Sequence, residues 1–150
     1  MLLKSAAPIA LFAAALFAGA AQAQETPTSV QGAKVITSAE AKTLVDGKAA
    51  TFVDTRAVVN FGKGHIPGAI AASYKEKSEK VANFDPSGDS LDMSKLPADK
   101  SKAVVFYSDG PTGWKSYKAT VLAVKSGYTN AHYFRGGMTE WEAKGLPVEK

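Results

Sequence analysis

Strand and helix patterns alternate along most of this chain, which predicts an α/β domain with a parallel sheet and helices on both faces. Three observations carry that reading. Ala103-Val104-Val105-Phe106-Tyr107 is a continuous apolar run, the pattern of a strand buried on both faces. Trp114 to Ser126 has helical spacing, with Tyr117, Val121 and Val124 three or four residues apart, and it stops at Gly127. The length, 150 residues, is that of one domain.

The elements follow in order. Lys34-Val35-Ile36 reads as a short strand. Thr37 followed three residues later by Glu40 is a capping box, opening a helix that runs through Leu44 to Gly47. Ala50 to Val53 is a strand ending at Asp54, and Val58 to Phe61 a turn or short helix. Ala69 to Ala72 is a third, short strand. Lys75 to Lys102 is polar and broken by Pro86, Gly88 and Pro97. A helix is expected over Lys75 to Phe84 and loop beyond it, and the whole reads as a solvated insertion more readily than as a lid. After the buried strand, Ser108 to Gly113 is a turn-rich loop feeding the next helix. Ala131 to Phe134 is the last strand, and Thr139 to Lys144 the last helix, stopped by Gly145 and Pro147.

Composition removes whole classes of function. Apolar residues make up 45% and charged residues 21%, an ordinary balance that excludes a disordered chain or a multi-span membrane protein. The net charge of +4 is spread along the chain, with no basic run to suggest nucleic acid. There is no cysteine, which excludes disulfides, thiolate metal sites and any thiol nucleophile. Two dispersed histidines, His65 and His132, make a poor metal site, so neither metal nor cofactor is expected.

The first 23 residues read as a secretory signal peptide. Lys4 precedes an uncharged apolar run from Ala6 to Ala20, and Ala21-Gln22-Ala23 is a small-x-small cleavage site. A periplasmic or secreted protein without stable membrane insertion is expected. Residues 24–33, polar and containing Pro27 and Gly32, are expected to form a flexible leader, with the folded domain spanning 34–150.

In a parallel sheet, ligands sit at the carboxyl ends of the strands. The loops after Val53, Tyr107 and Phe134 are therefore the natural site. Three segments there resemble the rhodanese (sulfurtransferase) family. They are Asp54-Thr55-Arg56 with Gly64-His65-Ile66-Pro67-Gly68-Ala69; the strand Val104 to Tyr107 with its loop; and Gly136-Gly137-Met138-Thr139-Glu140-Trp141 with Gly145-Leu146-Pro147-Val148. The resemblance covers Ile36 to Val148. It implies a central parallel sheet of about five strands and an active-site loop at Ser108 to Gly113. In active members that loop opens with a cysteine that carries sulfur as a persulfide, while loop amides and a helix N-terminus stabilise the anion. Here the corresponding residue is Ser108. The run Ser108-Asp109-Gly110-Pro111-Thr112-Gly113-Trp114-Lys115-Ser116-Tyr117 further resembles a subgroup with a Cys-x-Gly-Pro-x-Cys-Trp-x-Ser-Tyr loop, lacking both its cysteines.

A sulfur–sulfur bond cannot form on a serine oxygen, and a serine hydroxyl is far harder to deprotonate than a thiol. Serine chemistry would need an oriented base. His65 falls in a turn that shapes the fold and His132 within a strand, so a triad is not expected. The candidate site is Ser108 with the loop Asp109, Gly110, Pro111, Thr112, Gly113 and Trp114, supported by Asp54, Arg56 and Lys115. Lys115 and Lys118 on the next helix favour an anion. Pro111, which has no N–H, and the charge of Asp109 disfavour one. Asp54 reads as an acceptor for loop amides, and Arg56 as a partner for a carboxylate, with a substrate role open because it lies at the same sheet edge; Trp114 is a packing residue more readily than a binding platform, and Trp141 belongs to the core. The reading is an exported, non-catalytic domain that binds a small sulfur-containing anion or a protein partner. The alternative is a thiosulfate-type sulfurtransferase, if the chain is a cysteine-less variant of an active enzyme.

Overall fold

The computed structural model describes residues 24–150; the expected signal peptide, 1–23, lies outside the described residues. Five strands form one parallel sheet: β1 (Ala33–Val35), β2 (Thr51–Asp54), β3 (Ile70–Ala71), β4 (Val104–Tyr107) and β5 (Ala131–Phe134). Their order is β1-β5-β4-β2-β3, so β4 lies at the centre. All four of its residues are buried, as its unbroken apolar run requires. The helices are α1 (Ser38–Asp46), α2 (Val58–Lys63), α3 (Trp114–Lys125) and α4 (Gly137–Ala143).

The period-two alternation of a strand assigns its side chains to two faces. Val105 and Tyr107 point to a core with Ala41 of α1, Ile66, and Met138 and Trp141 of α4. Val104 and Phe106 point to the opposite core, with Ala119 and Ala123 of α3 and Tyr74, Leu96 and Tyr128. The Thr37 capping box forms as predicted, and α1 ends on Gly47. The GHIPGA turn shapes the fold: the His65 ring stacks on Phe61 at 3.7 Å, and His65 and Glu149 exchange backbone hydrogen bonds that close the C-terminus. Trp141 is fully buried and donates to the Pro147 carbonyl at 2.7 Å.

Two expectations are corrected. Lys75 to Phe84 is not helical; the insertion contains only two short 3-10 turns, Pro86–Gly88 and Met93–Lys95. Its shape comes from a half-buried polar cluster rather than from backbone periodicity. Asp89 accepts the amides of Lys77 and Ser78, each at 2.7 Å, and the Tyr74 hydroxyl at 2.8 Å. Lys118, fully buried on α3, reaches Glu76 at 2.7 Å and the Ser78 hydroxyl at 2.8 Å. Residues 24–33 do not form a free leader either. Thr26 and Val30 are buried, and the segment is strapped across β5 and the 108–113 loop before Ala33 enters the sheet.

Candidate functional site

Register brings the carboxyl ends of three strands onto one line: Asp54 pairs with Tyr107, and Tyr107 with Phe134. Asp54 is fully buried, and its carboxylate accepts the Arg56 amide at 3.0 Å and the guanidinium through Nε (3.0 Å) and Nη2 (2.7 Å). Arg56 Nη2 also donates to the Gly64 carbonyl at 2.7 Å. Burial opposes the Arg56 charge, but the hydrogen bond and charge of Asp54 outweigh it, so its pKa lies above the ordinary arginine value. The guanidinium is therefore largely committed to the fold. Its remaining nitrogen, Nη1, lies 3.9 Å from the exposed Asp109 carboxylate. Burial, reinforced by the Asp54 charge, pushes the Tyr107 phenol well above its usual range. It stays protonated and anchors the GHIPGA turn by accepting the Ile66 amide.

Ser108 follows directly from β4. Its side chain is 2% exposed, and its hydroxyl makes no hydrogen bond among the described residues. The loop around it is held from two sides. Ser108 and Asp109 offer their carbonyls to the amides of Met138 and Thr139 at the start of α4, at 2.9 and 2.8 Å. Gly137 makes this approach possible: its φ is +58°, and a Cβ there would run into the Ser108 carbonyl. On the other side the Gly113 amide closes a turn onto the Gly110 carbonyl at 2.8 Å. A Cβ on Gly113 would lie 2.9 Å from the Ser108 Cβ, closer than side chains pack.

The helix α3 starts immediately after Gly113, with no side-chain cap and no acidic residue in its first turn. Among the described residues its first-turn amides have no side-chain cap, and its positive end thus faces the loop that presents Ser108. Lys115 sits half-buried in that turn.

The structure therefore gathers Ser108, Asp109, Gly110, Pro111, Thr112 and Gly113 in one loop at the carboxyl end of β4, with Arg56 beside Asp109. The assignment of Lys118 is corrected, while Trp114 and Arg56 take the packing and pairing roles preferred for them. Trp114 is not a binding platform: it is 2% exposed, packs edge-on to Tyr117, and spends its indole N–H on the Gln24 carbonyl at 2.9 Å. Lys118 does not serve the loop, because it points to Glu76 in the insertion. Arg56 is a brace for Asp54 and Gly64 rather than a free anion ligand. No base reaches Ser108. The His65 Nδ1 pairs with the Phe61 carbonyl and His132 Nε2 with Asn130. Among the described residues no group of acidic, histidine or cysteine side chains forms a metal site.

Thr26 and Arg135 escaped the sequence reading. Thr26 sits in a polar segment whose single buried apolar anchor, Val30, carries no periodicity. Arg135, a lone charge at the end of β5, was the available signal: it holds the Thr26 carbonyl at 2.9 Å and Glu25 at 3.0 Å.

Comparison with known proteins bears on this geometry. The rhodanese-like domain model matches residues 37–144. The tRNA uridine(34) hydroxylase of Erwinia tasmaniensis is 29% identical over 118 residues, 74% of this chain, but the chain spans only 30% of that protein's length. Human thiosulfate:glutathione sulfurtransferase is 28% identical over 114 residues, 75% of this chain and 96% of the human protein. Thiosulfate sulfurtransferase from Pseudomonas aeruginosa has the same fold, with a TM-score of 0.58 at 22% identity, covering 78% of this chain and 20% of that structure.

Proposed function

Because this chain belongs to the rhodanese-like domain family, we propose that Ser108 stands where active members carry the persulfide-forming cysteine, and that the chain is an exported module that binds a small sulfur-containing anion at the 108–113 loop. The observation that carries this reading is the setting of Ser108. It follows directly on the central strand, its hydroxyl has no hydrogen-bond partner among the described residues, and the uncapped positive end of α3 faces it. That is a setting for an anion. The chemistry of a nucleophile is absent: an oxygen cannot carry a persulfide, no base touches Ser108, and the chain has no other thiol to take over. Asp109, 66% exposed, weakens the attraction at the rim, while its distance from the Arg56 guanidinium offsets part of that charge. Export rests on Lys4, the apolar run Ala6 to Ala20 and Ala21-Gln22-Ala23.

The test is thiosulfate binding to the purified chain by calorimetry, paired with a thiosulfate:cyanide sulfurtransferase assay of the parent and of Ser108→Cys. The expected result is saturable binding and no turnover in the parent, with turnover appearing in Ser108→Cys. Turnover by the parent, or no thiosulfate binding combined with a silent Ser108→Cys, would overturn the reading.

A further inference from the structure

The strap of residues 24–30 makes a dense set of contacts to the loop. The Thr26 amide donates to the Pro111 carbonyl at 2.8 Å, and its hydroxyl donates to the same oxygen at 3.0 Å. With that proton committed, the Thr26 oxygen accepts the Tyr133 hydroxyl at 2.8 Å. Arg135 clamps the Thr26 carbonyl from β5, and Trp114 of α3 holds Gln24. Val30 completes the anchor inside an aromatic cluster of Phe84, Trp114, Tyr117 and Tyr133. Thr26 itself is 3% exposed. The strap therefore ties Tyr133 of β5 and the loop together at Thr26, and α3 at Gln24 and Val30.

The turn it grips has two available states. Gly110 to Gly113 is closed by one hydrogen bond, with Pro111 and Thr112 at the centre. Proline at the second position suits a type I or a type II turn alike, and the two differ by a flip of the central peptide. Type II needs positive φ at the third position, a cost for the β-branched Thr112. Thr112 is not among the residues with positive φ, so the turn is the type I form. The two bonds from Thr26 hold the central carbonyl towards the strap. In a trans peptide the carbonyl and the following N–H point in opposite directions, so the Thr112 amide is turned away from the strap. That amide has no backbone partner among the described residues.

We infer that Thr26 is a positioning residue: by gripping the Pro111 carbonyl it sets the Pro111–Thr112 peptide plane and so keeps the loop amides in the arrangement that receives an anion. The anion half of this inference rests on the function proposed above; the peptide-plane half does not. The loop cannot fix itself, because Pro111 contributes no N–H and the flanking Gly110 and Gly113 resist rotation least.

The experiment compares the full chain with Thr26→Val, which keeps the shape and removes the hydroxyl, and with Thr26→Ser, which restores it. Folding of each is checked by far-UV circular dichroism. Hydrogen exchange at the Gly113 amide reads turn closure. Thiosulfate affinity of the parent and turnover of the variants in a Ser108→Cys background read the consequence. In Thr26→Val, Gly113 exchange is expected about tenfold faster, as loss of one buried hydrogen bond implies. Thiosulfate affinity and Ser108→Cys turnover fall severalfold, and Thr26→Ser recovers all three. Exchange unchanged within about twofold in a folded Thr26→Val overturns the inference. Faster exchange with unaltered affinity and turnover also overturns it, since the strap would then only stabilise. If the parent binds no thiosulfate and Ser108→Cys is silent, the proposed function falls, and the exchange result alone decides whether Thr26 sets the turn. Trp114→Phe, which removes the N–H to Gln24 together with part of the ring packed against Val30, provides a second strap variant, expected to shift Gly113 exchange in the same direction.

Discussion

Gly137 and Gly113 show how single residues shape the loop. Gly137 combines a left-handed φ of +58° with a backbone contact that leaves no room for a Cβ. Gly137→Ala is expected to cost at least about 2 kcal/mol, from the φ penalty and the forced shift of the Ser108 carbonyl together. Urea unfolding of the variant checks this. Gly113 has an ordinary φ of −84°, so its requirement is space alone. Gly113→Ala is therefore expected to remain folded yet displace Ser108, abolishing most of the turnover that Ser108→Cys gains while leaving the unfolding midpoint less affected than Gly137→Ala does. The assay of Ser108→Cys with and without Gly113→Ala reads it directly. Of this site, Ser108 and its loop were legible because they end the one unmistakable buried strand. The role of Arg56 was half legible: pairing with a carboxylate was expected, whereas the choice of Asp54 and the bond to the Gly64 carbonyl eight residues away depend on the fold.

At the scale of elements, the insertion from Lys75 to Lys102 behaves unlike its composition. Its polar residues look solvated in sequence, but Asp89 and Lys118 turn some of them inward. Burial alone would raise the Asp89 pKa. The Ser78 hydroxyl, the Lys77 and Ser78 amides and the Tyr74 hydroxyl outweigh it, and the pKa falls to about 2. A depressed carboxyl stabilises the fold when ionised. That contribution is complete above its unfolded value of about 3.9 and is lost as pH falls towards 2. Stability measured by urea unfolding should therefore drop between about pH 4 and pH 2 in the parent, and Asp89→Asn should be less stable at neutral pH with a flatter profile in that window. Lys118 has the opposite polarity and deeper burial. Lys118→Met leaves the largely buried Glu76 carboxylate without its ion-pair partner and is expected to cost about 3 kcal/mol, most of it recovered when Glu76→Gln is added. A double-mutant cycle in urea measures the recovery. None of this was visible as periodicity, because an irregular segment held by side-chain hydrogen bonds has no repeat to read.

The described residues pack into three clusters about one sheet, two of which hold one tryptophan each. Trp141 lies in the α1–α4 core, and Trp114 lies in the aromatic cluster where α3, the insertion and the strap meet. Because β4 contributes alternate side chains to opposite faces, the faces should unfold together. Trp141→Phe leaves fluorescence from Trp114 alone, and Trp114→Phe leaves Trp141 alone. For each single-tryptophan protein the fluorescence midpoint should coincide with its own far-UV circular dichroism midpoint. Phe106→Ala, on the central strand, should cost about 3–5 kcal/mol and shift both probes by the same amount. Separate transitions would show that the strap side unfolds as an independent unit.

The amino-acid sequence by itself determined the architecture, because strand and helix are written in local apolar periods, caps and glycine stops: β4, β5, α3 and the Thr37 capping box all follow from residues within a few positions of one another. It also determined the chemistry that is missing, since no arrangement of a cysteine-free chain can make a persulfide. Tertiary structure alone decided which polar residues work inside the fold. Thr26 meets Pro111 across 85 positions and Lys118 meets Ser78 across 40. A hydrogen bond between such distant residues leaves no local trace, because its partner is chosen by where the sheet brings the chain back, and that is a property of the packed molecule rather than of any segment in it.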